Sequence, residues 1–506
     1  MHKYAFPDDL SPVELDLHEI ANNAVFDVQP TALLKTNETF DVTSLDRFTI
    51  ITEGVACVPT IAGGQMTMVH DAGQNTGLQE GTDLTMCQFS NVINIASVTS
   101  VAGNTYENFG VGVAKDANNF IMAVWMRKDG VNGQASIQVK IGGVSNFRGI
   151  IALGAAWVPP FDIGLSLVAN SLTFWYKANG GTWTKITSYD VTATFDFKSE
   201  SLVGWKGVFW LATDNVQTVT AVFDNFKIGY FGSVGFRDPA VVSRENGDPI
   251  VSNNVVTLTA TLTDPQASAY QGVMSLNLIT RVMTQIAVIM VSRSGKCQND
   301  HAGHIISYLD GTYRYFVSTW GDRGGAADLI QILYKNETVL NLLSGANLIS
   351  GMSQLNLQGI PAGGGAYDPH AILRGGTWYV AYTTNPVAPD TFYPALDSTP
   401  DLAIFTLIGA DASAVRYEGT RIIKMGVNFW VVTASVSDTN VYDLTMTYQG
   451  KMSSLAQAAG AYPPHPMLVP TGSYVYQITF DNTLYGGVAS TVGHFRGFRA
   501  RRRGVR

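Results

Sequence analysis

The chain has 506 residues, with 32 Lys and Arg against 40 Asp and Glu, giving a formal net charge of −8. Charged residues make up 14%, well below the ~25% usual for soluble domains, while Gly reaches 50 residues and aromatics 11%. No run approaches the ~18 uninterrupted apolar residues of a transmembrane helix. Three scattered Cys (Cys57, Cys87, Cys297) are too few and too odd for a disulfide framework and are expected to be buried small hydrophobes. Neither membrane insertion nor specific nucleic-acid binding is expected, and no cofactor is called for.

Residues 1–37 read as an N-terminal arm. Pro7-Asp8-Asp9 and Ser11-Pro12 are turn signals, and VELDLHEIANNA has the pattern of a short amphipathic helix. No basic segment followed by an apolar stretch is present, so the start does not read as a secretion signal.

Residues 38–232 alternate short apolar-polar strands with tight turns. RFTIITEG, QMTMVHD, FGVGVAKDANNFIMAVWMRKDG, ASIQVKIGG, NSLTFWYKANGGTWTKITSY and TVTAVFDNFKIGYFG all show the two-residue period of half-buried strands. Asp129-Gly130 and Gly180-Gly181 are hairpin signals, because primed turns require positive φ. A two-sheet antiparallel sandwich is expected. Gly110-Val111-Gly112-Val113-Ala114-Lys115-Asp116-Ala117-Asn118-Asn119-Phe120, Asn170-Ser171-Leu172-Thr173-Phe174-Trp175-Tyr176, Gly180-Gly181-Thr182-Trp183 and Phe223-Asp224-Asn225-Phe226 together resemble a concanavalin/laminin-G-like jelly roll. Such domains are often joined to carbohydrate-active proteins, which the resemblance implies here.

Residues 233–492 contain a repeat. Tyr367-Asp368-Pro369-His370 leads into AILRGGTWYVAYTT, Tyr417-Glu418-Gly419-Thr420 into RIIKMGVNFWVVTAS, and Tyr462-Pro463-Pro464-His465 into PMLVPTGSYVYQITF. A fourth copy runs from Ala302-Gly303-His304 into IISYLDGTYRYFVSTW. Self-similarity at roughly 40–50 residues is the signature of a β-propeller blade, and five blades are expected, the fifth from VVTLTATLT and TQIAVIMVS. The whole is therefore an all-β chain: a jelly-roll sandwich followed by a five-bladed propeller. Residues 493–506 form a basic tail with six Arg and no acid. Both this tail and the arm suit docking against neighbouring subunits.

A propeller gathers equivalent positions of its blades around one axis, so His304, Asp368 with His370, Glu418 and His465 are expected to share a pocket. Two carboxyls there suit glycoside hydrolysis, one protonating the leaving oxygen and the other acting at the sugar carbon. A metal held by the three His is not expected, because blade separation works against tetrahedral convergence. Trp320, Asp322 and Arg323 follow the first repeat and are candidates for a sugar-binding rim.

Asp368-Pro369 with Gly376-Thr377-Trp378-Tyr379-Val380, and Glu418-Gly419-Thr420-Arg421-Ile422-Ile423-Lys424, resemble motifs of five-bladed glycosidases of the arabinanase/xylosidase type. The resemblance implies Glu418 as general acid and Asp368 as the carboxylate that tunes it. It also implies a base Asp at the head of the first blade, where this sequence offers Ala302-Gly303; Asp300 is the nearby candidate. Arg237-Asp238-Pro239 resembles another glycosidase motif but lies at the junction near Ser233, where no role is assigned to it. The expectation is a glycan-binding virion protein, a homo-oligomeric tail, fibre or decoration subunit whose partners are a surface polysaccharide and neighbouring subunits. The alternative is an active, non-classically secreted glycoside hydrolase.

Overall fold

A computed structural model describes residues 18–19, 34–480 and 498–504, except 44, 72–73, 85–90, 103–106, 129–131, 154–156, 213–217, 232–234, 265–267, 281, 323–328, 386–390, 436–437, 453–464 and 472–473. The Asp129-Gly130 turn, Cys87 and Arg323 therefore lie outside the described residues. The chain is all-β and divides into two compact units. Among the described residues no helix is long and apolar enough to cross a membrane.

One unit spans Val28–Phe231, with Ser294–Cys297 added. Its two antiparallel sheets form the expected sandwich. One runs, in spatial order, Val144–Ala152, Asn132–Ile141, Asn119–Lys128, Glu107–Asp116, Trp205–Ala212, Asn75–Leu84, Phe48–Thr52. The other is built around Phe161–Val168, Asn91–Ala102 and Val219–Tyr230. Alternation along these strands sends one set of side chains into a shared core rich in aromatic rings. Phe109 packs 4.7 Å from Trp125 and 5.7 Å from Phe161. The Gly180-Gly181 turn closes a hairpin as expected, with Gly180 at φ 69°. Leu34–Glu38 is a strand of this unit, paired with Val219–Tyr230, although residues up to 37 read as an arm. Cys57 is buried here, as expected of a small hydrophobe, and Cys297 is buried as well.

The other unit is a five-bladed propeller. Blade one holds Gly235–Val241, Val255–Thr263, Ala269–Asn277 and Met283–Arg293. Blade two holds His301–Ser307, Tyr313–Ser318, Ile332–Glu337 and Ser353–Gln354. Blade three comprises Gly365–Arg374, Thr377–Asn385, Tyr393–Thr399 and Thr406–Ala410. Glu418–Met425, Asn428–Ala434, Thr439–Asp443 and Tyr448–Met452 make blade four. Blade five is Met467–Thr471, Tyr474–Phe480, Phe498–Gly504 and the two residues His18–Glu19. Each innermost strand neighbours that of the next blade, and the ring closes where Met467–Thr471 meets Gly235–Val241.

VVTLTATLT and TQIAVIMVS build the blade that lacks the motif, as expected; it comes first in chain order, behind Gly235–Val241. One sequence expectation changes. The Arg-rich end supplies the third strand of blade five, since Phe498–Gly504 completes a hairpin with Tyr474–Phe480. Backbone pairing organises that segment, which the Arg count alone did not indicate.

Candidate functional site

Four inner strands begin with the same irregularity. Their pairing to the second strand breaks between Arg237 and Ala240, His301 and His304, Tyr367 and His370, and Glu418 and Arg421. The residue after each first position is left-handed: Asp238 at φ 50°, Ala302 at 55°, Asp368 at 56° and Gly419 at 67°. Such bulges re-aim side chains and concentrate beside active sites. Asp tolerates this conformation better than most residues, and Gly adopts it without strain. Structural equivalence therefore pairs Glu418 with Tyr367, one residue away from the sequence alignment of Asp368 with Glu418. The blade that supplies an acid at the bulge ahead of Asp368 is the first, through Asp238.

The heads converge on His465. Its Nε2 lies 3.6 Å from Asp238 Oδ1, 3.6 Å from Asp368 Oδ2 and 3.9 Å from Glu418 Oε1. Asp368 and His465 are buried, each side chain 3% exposed, whereas Asp238 and Glu418 keep 12% and 16%. The two carboxyls that solvent or a substrate can reach are thus those of blades one and four.

Hydrogen bonds orient the group. Arg421 Nη2 sits 3.3 Å from His465 Nδ1. A guanidinium only donates, so Nδ1 accepts and the neutral ring carries its proton on Nε2, facing the carboxyls. Burial keeps the imidazole neutral, with a pKa near 3, although Asp238 favours the charged form. Gly419 N–H donates to Asp368 Oδ2 at 3.1 Å, and Asp368 N–H to Ser318 Oγ at 3.1 Å. Tyr367 O–H donates to Glu418 Oε2 at 3.5 Å.

The environment separates the three acids. Burial, then the charges of Asp368 and Asp238, push Glu418 well above the usual carboxylate range. Burial and Asp238 raise Asp368 to about 7, against the pull of Arg421 and the Gly419 N–H. Burial also works against ionised Asp238, but Arg237, His465, His301 and a hydrogen bond from Thr261 outweigh it and hold the carboxyl low. Arg237 Nε is 3.3 Å from Asp238 Oδ2, and its Nη2 lies 3.2 Å from His301 Nε2. Near neutrality the cluster holds an ionised Asp238 beside a protonated Glu418.

Asp368, Glu418 and His465 offer ligand atoms within 4.8 Å of one another, the composition of a metal site. The hydrogen bond from Arg421 argues against that use, since it leaves a proton and no lone pair on Nε2.

The other expected residues fall in different places. Asp300 is buried and accepts from Arg293 Nε and Nη2, both at 2.8 Å, and from Gly321 N–H at 2.9 Å. This bidentate pair ties a strand turn, and Asp300 is not one of the carboxyls gathered at His465. His304 and His370 occupy the next inward-facing position of their strands and stack at 3.9 Å, in the layer behind the carboxyls. Trp320 stacks on His301 at 6.0 Å and meets Tyr367 edge-on at 5.4 Å, forming an aromatic wall beside Glu418. Asp322 lies in the same one-turn segment, Trp320–Asp322. Asp238, Arg237 and Arg421 received no role from the sequence. The repeated bulge could have found them, had the Arg-Asp-Pro at the junction been aligned as the first blade head.

No protein-family model matches the chain, and no curated protein matches its sequence. Similarity appears only among solved structures. A Bacillus subtilis levansucrase in complex with oligosaccharides aligns at 10% identity and TM-score 0.38, covering 54% of this chain and 84% of that one. The CBM2 module of an evolved Dit from Lactobacillus casei BL23 phage J-1 aligns at 10% identity and TM-score 0.31, covering 39% and 95%. A functionally unknown protein from Saccharomyces cerevisiae aligns at 14% identity and TM-score 0.29, covering 37% and 98%.

Proposed function

We propose that the propeller cleaves glycosidic bonds, with Glu418 as general acid, Asp238 as the carboxylate acting at the anomeric carbon, and Asp368 as the group that sets their charge states. The observation that carries this reading is the gathering of three blade-head carboxyls around His465 Nε2, with Glu418 pushed up and Asp238 held down. Glycoside hydrolysis needs such a division between a protonated and an ionised carboxyl. Glu418 gives its proton to the departing oxygen as the C–O bond breaks. Asp238 either takes a proton from the water that attacks that carbon or bonds to the carbon until water displaces it. Either course yields one free hydroxyl on each fragment. Trp320 and Tyr367 offer ring faces and edges to the sugar.

This reading moves the base from Asp300 to Asp238 and makes turnover the expected outcome. A glycan array run with a hydrolysis screen on the same sugars tests it. Wild type should turn over at least one glycan that it binds, and Glu418→Gln and Asp238→Asn should each lose about 10²–10⁴-fold in kcat while still binding. Turnover unaffected by either substitution would refute the assignment. Binding without turnover in wild type would return the pocket to the particle-borne adhesin expected from the sequence, in which the sandwich and propeller serve attachment.

A further inference from the structure

Behind the carboxyl cluster, a cavity of about 30 Å³ runs from the His370–Arg421 layer toward the far ends of the inner strands. By the ~10–15 Å³ that one water-sized body needs, it holds two or three waters or a single halide-sized ion. Its lining includes Ser243, His370, Arg421 and Lys424 and contains no acid.

Arg421 can only donate there, and Ser243 and His370 can each present a proton, His370 in the neutral tautomer protonated on Nδ1. Arg421 is 3% exposed, and its Nε–H has no hydrogen-bond partner. His370 is 6% exposed, and its Nδ1 is likewise unpartnered. Ser243 follows from its neighbour. Ala371 N–H donates to His304 Nδ1 at 3.2 Å, so the neutral His304 ring carries its proton on Nε2. That N–H is directed at Ser243 Oγ, 3.1 Å away, and at the Val241 carbonyl. Ser243 thus accepts from His304, and its own hydroxyl proton is free to be given elsewhere. Lys424 adds positive potential, although its ammonium is paired with Asp248 at 2.7 Å. A buried guanidinium edge, an imidazole nitrogen that can carry the ring proton and a hydroxyl around a small cavity make a site for negative charge, since unmet buried donors are costly and charge-assisted bonds are the strongest remedy.

We propose that this axial cavity binds a small monovalent inorganic anion of the chloride class, held by Arg421 Nε, His370 Nδ1 and Ser243 Oγ. The anion fixes the guanidinium from behind while Nη2 orients His465 in front. The site does not depend on whether the carboxyl cluster turns over a glycan.

Bromide is the probe. Crystals of the full chain grown from sodium bromide should show an anomalous peak within hydrogen-bonding distance of Arg421 Nε and His370 Nδ1. At a constant ionic strength of about 0.2 M, Tm should be roughly 2–4 °C higher in bromide or chloride than in gluconate, which is too large for the cavity. Arg421→Gln should abolish that difference; if this variant does not fold, Ser243→Ala should reduce it. Water alone in the cavity, an anomalous peak confined to Arg237, or equal Tm in all three salts would overturn the proposal.

Discussion

Burial raises Glu418 and Asp368, while the guanidinium of Arg237 is the main reason that Asp238, in the same cluster, stays ionised. These opposed shifts have consequences for stability. An acid whose folded pKa is raised prefers to be protonated in the fold, so its contribution falls as pH climbs from the unfolded value near 4 to the folded value. For Asp368 that window runs from about pH 4 to about pH 7. Asp368→Asn removes the ionisation and should raise Tm at pH 8, with the gain shrinking toward pH 4. Thermal melts across that range check it, and a gain that grew toward acid would contradict the assignment. Asp368, Glu418 and His465 were legible as blade heads because each stands before an aromatic, β-branched strand. Asp238 was not, since its strand lies where the sequence placed the junction near Ser233. Asp300 misled for a physical reason: an acid near a blade head is attractive in sequence, but Arg293 reaches it from the preceding strand.

At the scale of the strand, the bulge is what turns a repeat into a site. It places one left-handed residue at four of the heads, a carboxyl at Asp238 and Asp368, a methyl at Ala302 and no side chain at Gly419, where the acid is supplied by the residue before it, Glu418. Gly419 has no freedom to vary. An added Cβ would lie 2.6 Å from His465 Cγ, on a backbone at φ 67°. Gly419→Ala should cost about 1–2 kcal/mol in left-handed strain alone, lower the denaturation midpoint, and reduce turnover by displacing the imidazole. An unchanged midpoint would show that the head can relax. Composition and alternation made the strands and the Gly180-Gly181 hairpin readable. The bulge was hidden because a one-residue slip leaves the apolar pattern of the following strand intact, so Asp368 and Glu418 looked equivalent.

For the propeller as a whole, five blades could be inferred from the repeat spacing, but the make-up of the last one could not. The fifth sheet draws on sequence-distant pieces whose pairing no local pattern announces: Phe498–Gly504 carries Arg where a strand normally alternates apolar residues, and His18–Glu19 contributes two residues. Truncation after Gly497 should leave blade five with the Met467–Thr471 and Tyr474–Phe480 strands and expose an edge, lowering Tm and broadening the transition. A sharp melt at the wild-type temperature would show that the outer strands are dispensable. The pairing of His18 with Ala500 and of Glu19 with Arg499 also has a bearing on time. A ribosome emits residue 18 long before residue 500, at ~5–20 residues per second, so the last sheet waits roughly half a minute or more for its partner. Until then the nascent ring stays open, with its first blade made and its final neighbour missing. Proteases and holding chaperones would meet that unfinished circle during synthesis, and the carboxyl cluster would assemble only after the last blade has been made.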